Sequence, residues 1–517
     1  MSRIEKSIKN IKFGLIFQLS GLLVSFFTRK VFVLVLTQEY LGLNGTFSSI
    51  LSMLSLAELG IGSAITFSLY KPLAEQDEGQ IAAVMSLFRR AYRAIGIAVA
   101  LLGCAIAPLL PMIIRDMPDI PHIYFIYFLF VLNASLSYFY VYKQSLIIAD
   151  QRRYITTACH FIVTMLLQIG QALVLWFTGN YFAYLWLRIG ATLLENLILS
   201  RIAARLYPYL EEKKSASLDL RTKKGIIKNT KAMIIHKIAS IVVFGTDNLL
   251  ISYFVSVVAV GLYSNYLMIT NMLTSIYGQF FSALTASIGN LGVTGDTRQV
   301  LIVFRRINFG GSWLYGFSAV CLAVLLNPFI ELWLGADYLF SQGIVCLIAV
   351  NFYVTGMRQA TMTFREAEGL YWYDRYKAIA ESIVNLVISA ILAVPFGVAG
   401  IFIGTFISTM TTCFWIEPLV LFKYAFRASV KPFFRDYAVN TLVTALTMAA
   451  VWYICEMLPG AGLPLFIAKM AVCAVAGNLS YLLAYHRREE FQYFVKLTLG
   501  ICHSTANKIK QAIRGGD

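Results

Sequence analysis

The chain has 517 residues, of which 58% are hydrophobic and only 14% charged, with a formal net charge of +16. So small a polar fraction excludes a water-soluble globule of this size, because too little polar surface exists to cover it. The positive charge would suggest nucleic acid for a soluble protein, but its distribution along the chain assigns it to a membrane, and no nucleic-acid partner is expected.

Apolar stretches of roughly 20 residues, enough to cross about 30 Å of hydrocarbon, recur from end to end and leave no room for a separate soluble domain. They predict about fourteen spans, near 13–36, 41–69, 91–114, 122–143, 155–178, 181–204, 232–255, 259–288, 306–328, 340–361, 376–394, 398–422, 436–456 and 464–485. Arg3, Lys6, Lys9 and Lys12 precede the first in the manner of a signal peptide. No small-residue cleavage site follows, however, and Arg29 and Lys30 do, so this segment is expected to stay as a span. The connections alternate between basic ones, such as those holding Arg89, Arg90 and Arg93 or Arg365, Arg375 and Lys377, and charge-poor ones in which Arg115 is the only Lys or Arg. The positive-inside rule then puts both termini in the cytoplasm. Two cytoplasmic-side segments, about 75–90 and 489–513, mix apolar and charged residues at helical spacing and are expected to lie on the inner leaflet, their basic residues favouring anionic lipid. The eight cysteines are scattered, without a C-x-x-C pair or metal-ligand spacing, and read as reduced filler.

A weak self-similarity with a period of roughly 220 residues underlies this order. Phe88-Arg89-Arg90 recurs as Phe304-Arg305-Arg306, Pro108 as Pro328, Arg153-Tyr154 as Arg375-Tyr376, Thr28 as Thr246 and Gly42-Leu43 as Gly261-Leu262. The expected fold is therefore an all-α membrane protein with two six-helix lobes related by a pseudo-two-fold axis along the membrane normal, plus two C-terminal helices. In residues, that is a first lobe over 1–206, a Lys-rich linker over 207–231, a second lobe over 232–425, two further spans over 426–485 and an amphipathic tail over 486–517.

Polar residues at i, i+3, i+4 and i+7 mark helix faces that line either a wet cavity or a close helix contact. The first span carries Gln18, Ser25 and Arg29, the tenth Asn351, Thr355 and Arg358, the eleventh Glu381 and Asn385. The Ser, Thr and Gly stripes are read as close packing. Charges are different, because each costs about 2.5–3.5 kcal/mol at mid-bilayer and needs a partner or a purpose. The deep cations are Arg29, Lys30, Arg188, Arg358 and Lys237, and the deep anions Glu58, Glu195, Asp247 and Glu381. Arg29 has no obvious acid within its own helix, and a guanidinium in a cavity suits a phosphate, which it grips with two parallel bonds. By the repeat, Arg29 and Lys30 stand opposite Asp247 and Asn248, an asymmetry that fits one lobe for an anion and the other for a cation, or equally an interlobe salt bridge. No Walker loop, H-E-x-x-H or G-x-S-x-G occurs, and the outer connections are short, so neither an enzyme nor a cofactor is expected. Energy would come from Na+ or H+ or the membrane potential.

Four stretches carry a resemblance: Glu39–Ile65 (EYLGLNGTFSSILSMLSLAELGIGSAI), Thr246–Leu291, Asn327–Gly335 (NPFIELWLG) and Phe364–Tyr376 (FREAEGLYWYDRY). They resemble bacterial polysaccharide flippases of the multidrug/oligosaccharidyl-lipid/polysaccharide exporter superfamily. The resemblance implies alternating-access transfer of an undecaprenyl-pyrophosphate-linked oligosaccharide across the bacterial cytoplasmic membrane, for capsule or other surface polysaccharide, by a monomer working beside a polymerase machinery. Arg29 matches the recurrent first-helix arginine of similar lipid flippases. On the stripes alone, Lys30, Arg188, Arg358, Gln18 and Asn351 join it as substrate-binding candidates, and Asp247, Glu58, Glu381 and Glu195 are candidates for ion coupling. A cation-coupled multidrug exporter of the same superfamily and a membrane glycosyltransferase or polymerase are the alternatives.

Overall fold

The computed structural model describes residues 20–54, 61–139, 141–210, 246–294, 297–370 and 373–496. A chain this apolar has no water to satisfy its backbone, and helices that bond within themselves are the result; the described residues hold no strand. In chain order the helices are α1 (20–35), α2 (Gln38–Leu54), α3 (Ile61–Glu75), α4 (Glu78–Ile106), α5 (Ile123–Tyr138), α6 (Val141–Ala149), α7 (Arg153–Thr178), α8 (Tyr181–Leu206) and α9 (Asp247–Phe254). There follow α10 (Val257–Thr294), α11 (Thr297–Leu334), α12 (Gln342–Met357), α13 (Gln359–Ala367), α14 (Lys377–Thr411), α15 (Cys413–Leu421), α16 (Lys431–Glu456), α17 (Gly462–Tyr485) and α18 (489–496).

Every one of the fourteen predicted spans contains a described helix. Among the described residues nine helical stretches are long and apolar enough to cross a membrane, ten when α5 and α6 count as one bent span. One of them, Lys377–Phe426, is two spans, because Gly397, two residues after Pro395, adopts φ 57° and ψ −131° and reverses the chain. Glycine pays no Cβ penalty in that region of backbone space. The returning helix of this hairpin packs so closely that a Cβ on Gly404 would come within 2.6 Å of the Ser389 backbone nitrogen. Asn385 fixes the pair by donating to Thr405 Oγ1 at 3.1 Å.

The repeat is visible as matched helix lengths. α5 and α12 both have 16 residues, and the short helices α6 and α13 that follow each have 9. Both pairs are shifted by the same roughly 220 residues.

The chain forms two compact units, residues 1–265 and 266–517. In the first unit, α4 packs against α5 through Gly96 and Gly103, with Ser135 and Tyr127 hydroxyls donating to their carbonyls at 2.9 and 3.0 Å. The core cluster joins Leu69, Val84, Phe88, Tyr92, Tyr138, Leu146 and Ala203. The segment 75–90, expected to lie on the inner leaflet, is from Glu78 the start of the 29-residue α4, and Ile81, Val84, Met85 and Phe88 are buried in protein. An amphipathic pattern records only that one face is apolar, not what covers it.

At the start of α2 and α10 two glycines meet. A Cβ on Gly42 would fall 2.0 Å from the Val257 carbonyl oxygen, and one on Gly261 2.8 Å from the Gln38 carbonyl oxygen and 2.9 Å from Gly42 N. Gly42 and Gly261 are repeat equivalents, as are Gln38 and Val257, so each helix offers the other the same surface. Reciprocity of this kind is what a two-fold relation produces.

In the second unit, Tyr266 and Asn327 join α10, α11 and the start of α12: Tyr266 donates to Asn327 Oδ1 at 2.6 Å and accepts from the Phe340 N–H at 2.8 Å. Phe304 is ringed by Phe364, Phe422, Phe426 and Phe433. The two extra helices α16 and α17 are bonded to one another by Thr444 with Tyr481 (2.8 Å) and by Tyr485 to Asn440 (2.7 Å). They cover α11. The predicted tail helix 489–513 is described only to 496, and there Phe491 is buried against Phe309 and Tyr485, inside protein. The seven described cysteines are free thiols.

Candidate functional site

Two of the predicted cations, Arg29 and Arg188, both lie in the first unit. Arg29 stands about two turns before the end of α1, and Arg188 about two turns after the start of α8, each toward a charge-poor connection. The Tyr184 hydroxyl lies within electrostatic range of both guanidinium groups. Arg29 Nη1 donates to Ser264 Oγ at 3.2 Å, and Ser264 in turn donates to the Gly261 carbonyl. Arg188 lies over the Phe130 ring, 5.1 Å from its centroid. Tyr184 stacks on Tyr181 at 5.7 Å, and Phe32 and Tyr40 pack edge-on beside them. Among the described residues neither arginine, nor the half-buried Lys30, has a carboxylate within 4.0 Å. A half-buried guanidinium without an acid keeps its full charge and several N–H donors for something else, and a phosphate is the anion that matches its planar fork.

The interlobe salt bridge does not form: Arg29 donates to Ser264, and Asp247 pairs with no Lys or Arg among the described residues. The Asp247 Oδ1 is enclosed without a hydrogen-bond partner there. Its neighbour Asn248 donates to Ser49 Oγ at 3.0 Å and ties α9 to α2. Glu195 is held by His160 Nδ1, at 3.1 and 3.3 Å from its two oxygens. Ser25, on the polar stripe of α1, accepts from Gln168 at 2.7 Å, so the Ser end of that stripe is a packing contact. Gln18 and Glu58 lie outside the described residues.

In the second unit the predicted cavity cation Arg358 is already occupied. It stands at the break between α12 and α13, where the chain changes direction. Its Nε and Nη2 grip Glu417 of α15 at 3.1 and 2.8 Å, and Nη1 donates to Glu381 of α14 at 3.1 Å. Lys377 Nζ reaches the same Glu417 at 2.5 Å and Asp374 at 3.4 Å, and Asp374 accepts from Arg365. The side chains of Arg358, Glu381, Glu417, Lys377 and Asp374 are between 1% and 12% exposed. Three cations thus alternate with three carboxylates in a chain with no formal net charge. Desolvating each charge is costly, and only the opposite charges on either side offset it. Arg358 and Glu381 are therefore paired with each other in this structure, with Glu417 as the second acid on Arg358. Asn351, the third candidate of this unit, donates to the Phe402 carbonyl at 2.9 Å and joins α12 to α14.

Glu417 is the residue that the spacing search missed. It stands as the only acid in the apolar run 398–422, next to Pro418, with no polar companion at helical spacing. Its isolation was the available signal, since a lone carboxylate within a span requires a cation.

No protein-family model matches the sequence, and no curated protein matches it. Among solved structures the chain is similar to the lipid II flippase MurJ in an inward closed conformation, with a TM-score of 0.66 at 14% identity over 92% of this chain and 99% of that one. It is similar to an inward-facing multidrug resistance MATE family transporter of the MOP superfamily, with a TM-score of 0.63 at 13% identity over 79% and 97% of the two chains. It is also similar to a variant of the Vibrio cholerae MATE transporter VcmN, with a TM-score of 0.54 at 14% identity over 81% and 98%. The chain is a multi-pass membrane protein with the fold of the MOP-superfamily transporters.

Proposed function

We propose that the chain is a flippase that carries an undecaprenyl-pyrophosphate-linked oligosaccharide from the inner to the outer leaflet of a bacterial cytoplasmic membrane by alternating access, with both termini in the cytoplasm. The observation that carries the proposal is that Arg29 and Arg188, both within electrostatic range of Tyr184, have no carboxylate within 4.0 Å among the described residues, whereas Arg358 is paired with Glu381 and Glu417. Keeping two guanidinium groups without an acid inside a membrane protein is costly, and an anionic substrate group supplies the missing counter-charge when it arrives. A pyrophosphate offers enough oxygens to engage both groups. Aromatic rings beside the arginines leave the remainder of the site suited to a polar, ring-shaped headgroup. The fold likeness to a lipid II flippase is compatible with this substrate class.

The test is transfer of a fluorescent undecaprenyl-pyrophosphate glycolipid in proteoliposomes. The Arg29→Ala and Arg188→Ala variants are expected to lose at least about tenfold in rate, the equivalent of one charge-assisted bond of ~1.4 kcal/mol or more. Full transfer by both variants would remove this site from the mechanism.

A cation-coupled multidrug exporter is the second reading, and Asp247 favours it, because a carboxylate with an enclosed, unpartnered oxygen is a place for a proton or cation. Efflux of cationic dyes that depends on Asp247, with no glycolipid transfer, would make this the correct reading.

A further inference from the structure

The two sides of α7 differ in kind. Ile162, Leu166, Ile169, Leu173 and Trp176 recur every three or four residues and are all exposed, which marks the face turned to lipid. On the opposite side Thr157, His160, Thr164 and Gln171 recur at the same spacing. Toward its outer end this polar face is packed, because Gln171 is buried and donates to the Tyr184 carbonyl at 3.1 Å. Toward its inner end it is open: Thr157 and His160 are exposed. α8 repeats the arrangement, with Leu187, Leu194 and Leu197 exposed on one side and Tyr184, Arg188, Thr192 and Glu195 on the other. The bond of His160 Nδ1 to Glu195 at 3.1 Å joins the two polar faces, and its side chains are 67% and 21% exposed. An ionisable pair that is accessible on the side away from lipid opens onto water, since such groups within spans face a wet cavity or the protein interior.

Glu195 follows Arg188 by two turns on one face of α8, about 10 Å of helix rise, on its inner side. An anion that reaches Arg188 from the inner side along this face passes the pair. The imidazole exchanges its proton between about pH 5 and 8. Protonated, it cancels the Glu195 carboxylate; neutral, it leaves the face with a net negative charge. α7 packs on α1, α6 and α8, and α8 also on α5. These elements bring Arg29 and Lys30 from α1, Lys143 from α6, which donates to Ser200 at 2.7 Å, and Arg188, Arg201 and Arg205 from α8. α7 itself adds Arg153 and the buried Cys159, and the tyrosines of α5 and α8 ionise far above this range. Among the described residues Glu195 is the charged group that bears on the imidazole. A unit charge about 10 Å from a bound anion changes its affinity roughly two- to tenfold, for an effective dielectric between that of water and that of a protein surface. We propose that the His160–Glu195 pair is a proton-operated electrostatic gate, which admits the anionic headgroup to Arg188 when the imidazole is protonated and repels it when the imidazole is neutral. The gate rests on the reading of Arg29 and Arg188 as the anion site.

The experiment is transfer of the fluorescent undecaprenyl-pyrophosphate glycolipid by the full-length protein in proteoliposomes held at one pH on both sides, varied from about pH 5.5 to 8, where histidine titrates. A pyrophosphate esterified at both ends keeps its charge over this range, so pH acts through the protein. The wild-type rate is expected to fall roughly two- to tenfold as the pH rises. His160→Gln leaves the Glu195 carboxylate uncancelled and should be slow at every pH. The double variant His160→Gln, Glu195→Gln carries no charge at the pair and should be fast at every pH, matching the wild type at the acid end. A bond that only holds α7 to α8 would leave the double variant no faster than His160→Gln, and that result would overturn the proposal. So would a measurable wild-type rate that does not change with pH, a readout that needs no variant to fold. Absence of transfer by the wild type at every pH would overturn the substrate reading and the gate with it, whereas transfer that is present but flat overturns the gate alone.

Discussion

The deep cations of the first unit and those of the second face the same physical problem and meet it in opposite ways. Arg29 and Arg188 have hydroxyls and aromatic rings for company, while Arg358, Lys377 and Arg365 are threaded between carboxylates. The repeat sharpens the contrast, because Phe139 occupies the position in the break after α5 that Arg358 occupies after α12. A helix break with an apolar residue needs no electrostatic support, whereas one with an arginine needs two acids. Where a unit spends carboxylates on its arginines, the charge holds helices together; where it withholds them, the charge stays available.

Substitutions can test that contrast, with detergent unfolding as the measurement. Glu417→Ala should have the largest effect, because it strands Arg358 and Lys377 together in a buried setting. A loss of about 3–5 kcal/mol is expected, the range for breaking a buried pair from one side. A stable, fully folded variant would mean the network is decorative. Lys377→Met should be milder, about 1.5–3 kcal/mol, since its contacts to Glu417 and Asp374 are lost but Glu417 keeps both of its bonds to Arg358 and Asp374 keeps Arg365. Arg29→Met should have the smallest effect, within about 1 kcal/mol of wild type, since no carboxylate is left behind and an unfavourable charge leaves the membrane interior. Should Arg29→Met destabilise the protein as much as Glu417→Ala, the two arginine classes would be one.

Much of this architecture is legible in the chain. The alternation of basic and charge-poor connections, the apolar lengths and the repeated Gly42-Leu43 and Phe88-Arg89-Arg90 signals lead to spans that all contain described helices. Even the hairpin turn falls at the Pro395–Gly397 connection, because proline and glycine act on the backbone locally. The ion network is not legible in the same way. Glu381 and Glu417 are 36 residues apart, and only the hairpin at Gly397 and the break at Arg358 bring them to one guanidinium. Lys377, Asp374 and Arg365 read as charges of an inner connection, which they are in sequence, yet they are buried in the fold. Of the first-unit site, both arginines could be read from their depth, but Tyr184 could not, because a tyrosine in an apolar span carries no spacing signal of its own.

The Gly42–Gly261 crossing has a mechanical consequence. Helices that touch through side chains interlock, and separating them requires rotamers to change. At this crossing backbone rests on backbone, with a carbonyl oxygen under each glycine. Only glycine at both positions allows so close an approach. A methyl group on either glycine would meet a carbonyl oxygen at 2.8 Å or less and force the two helices apart.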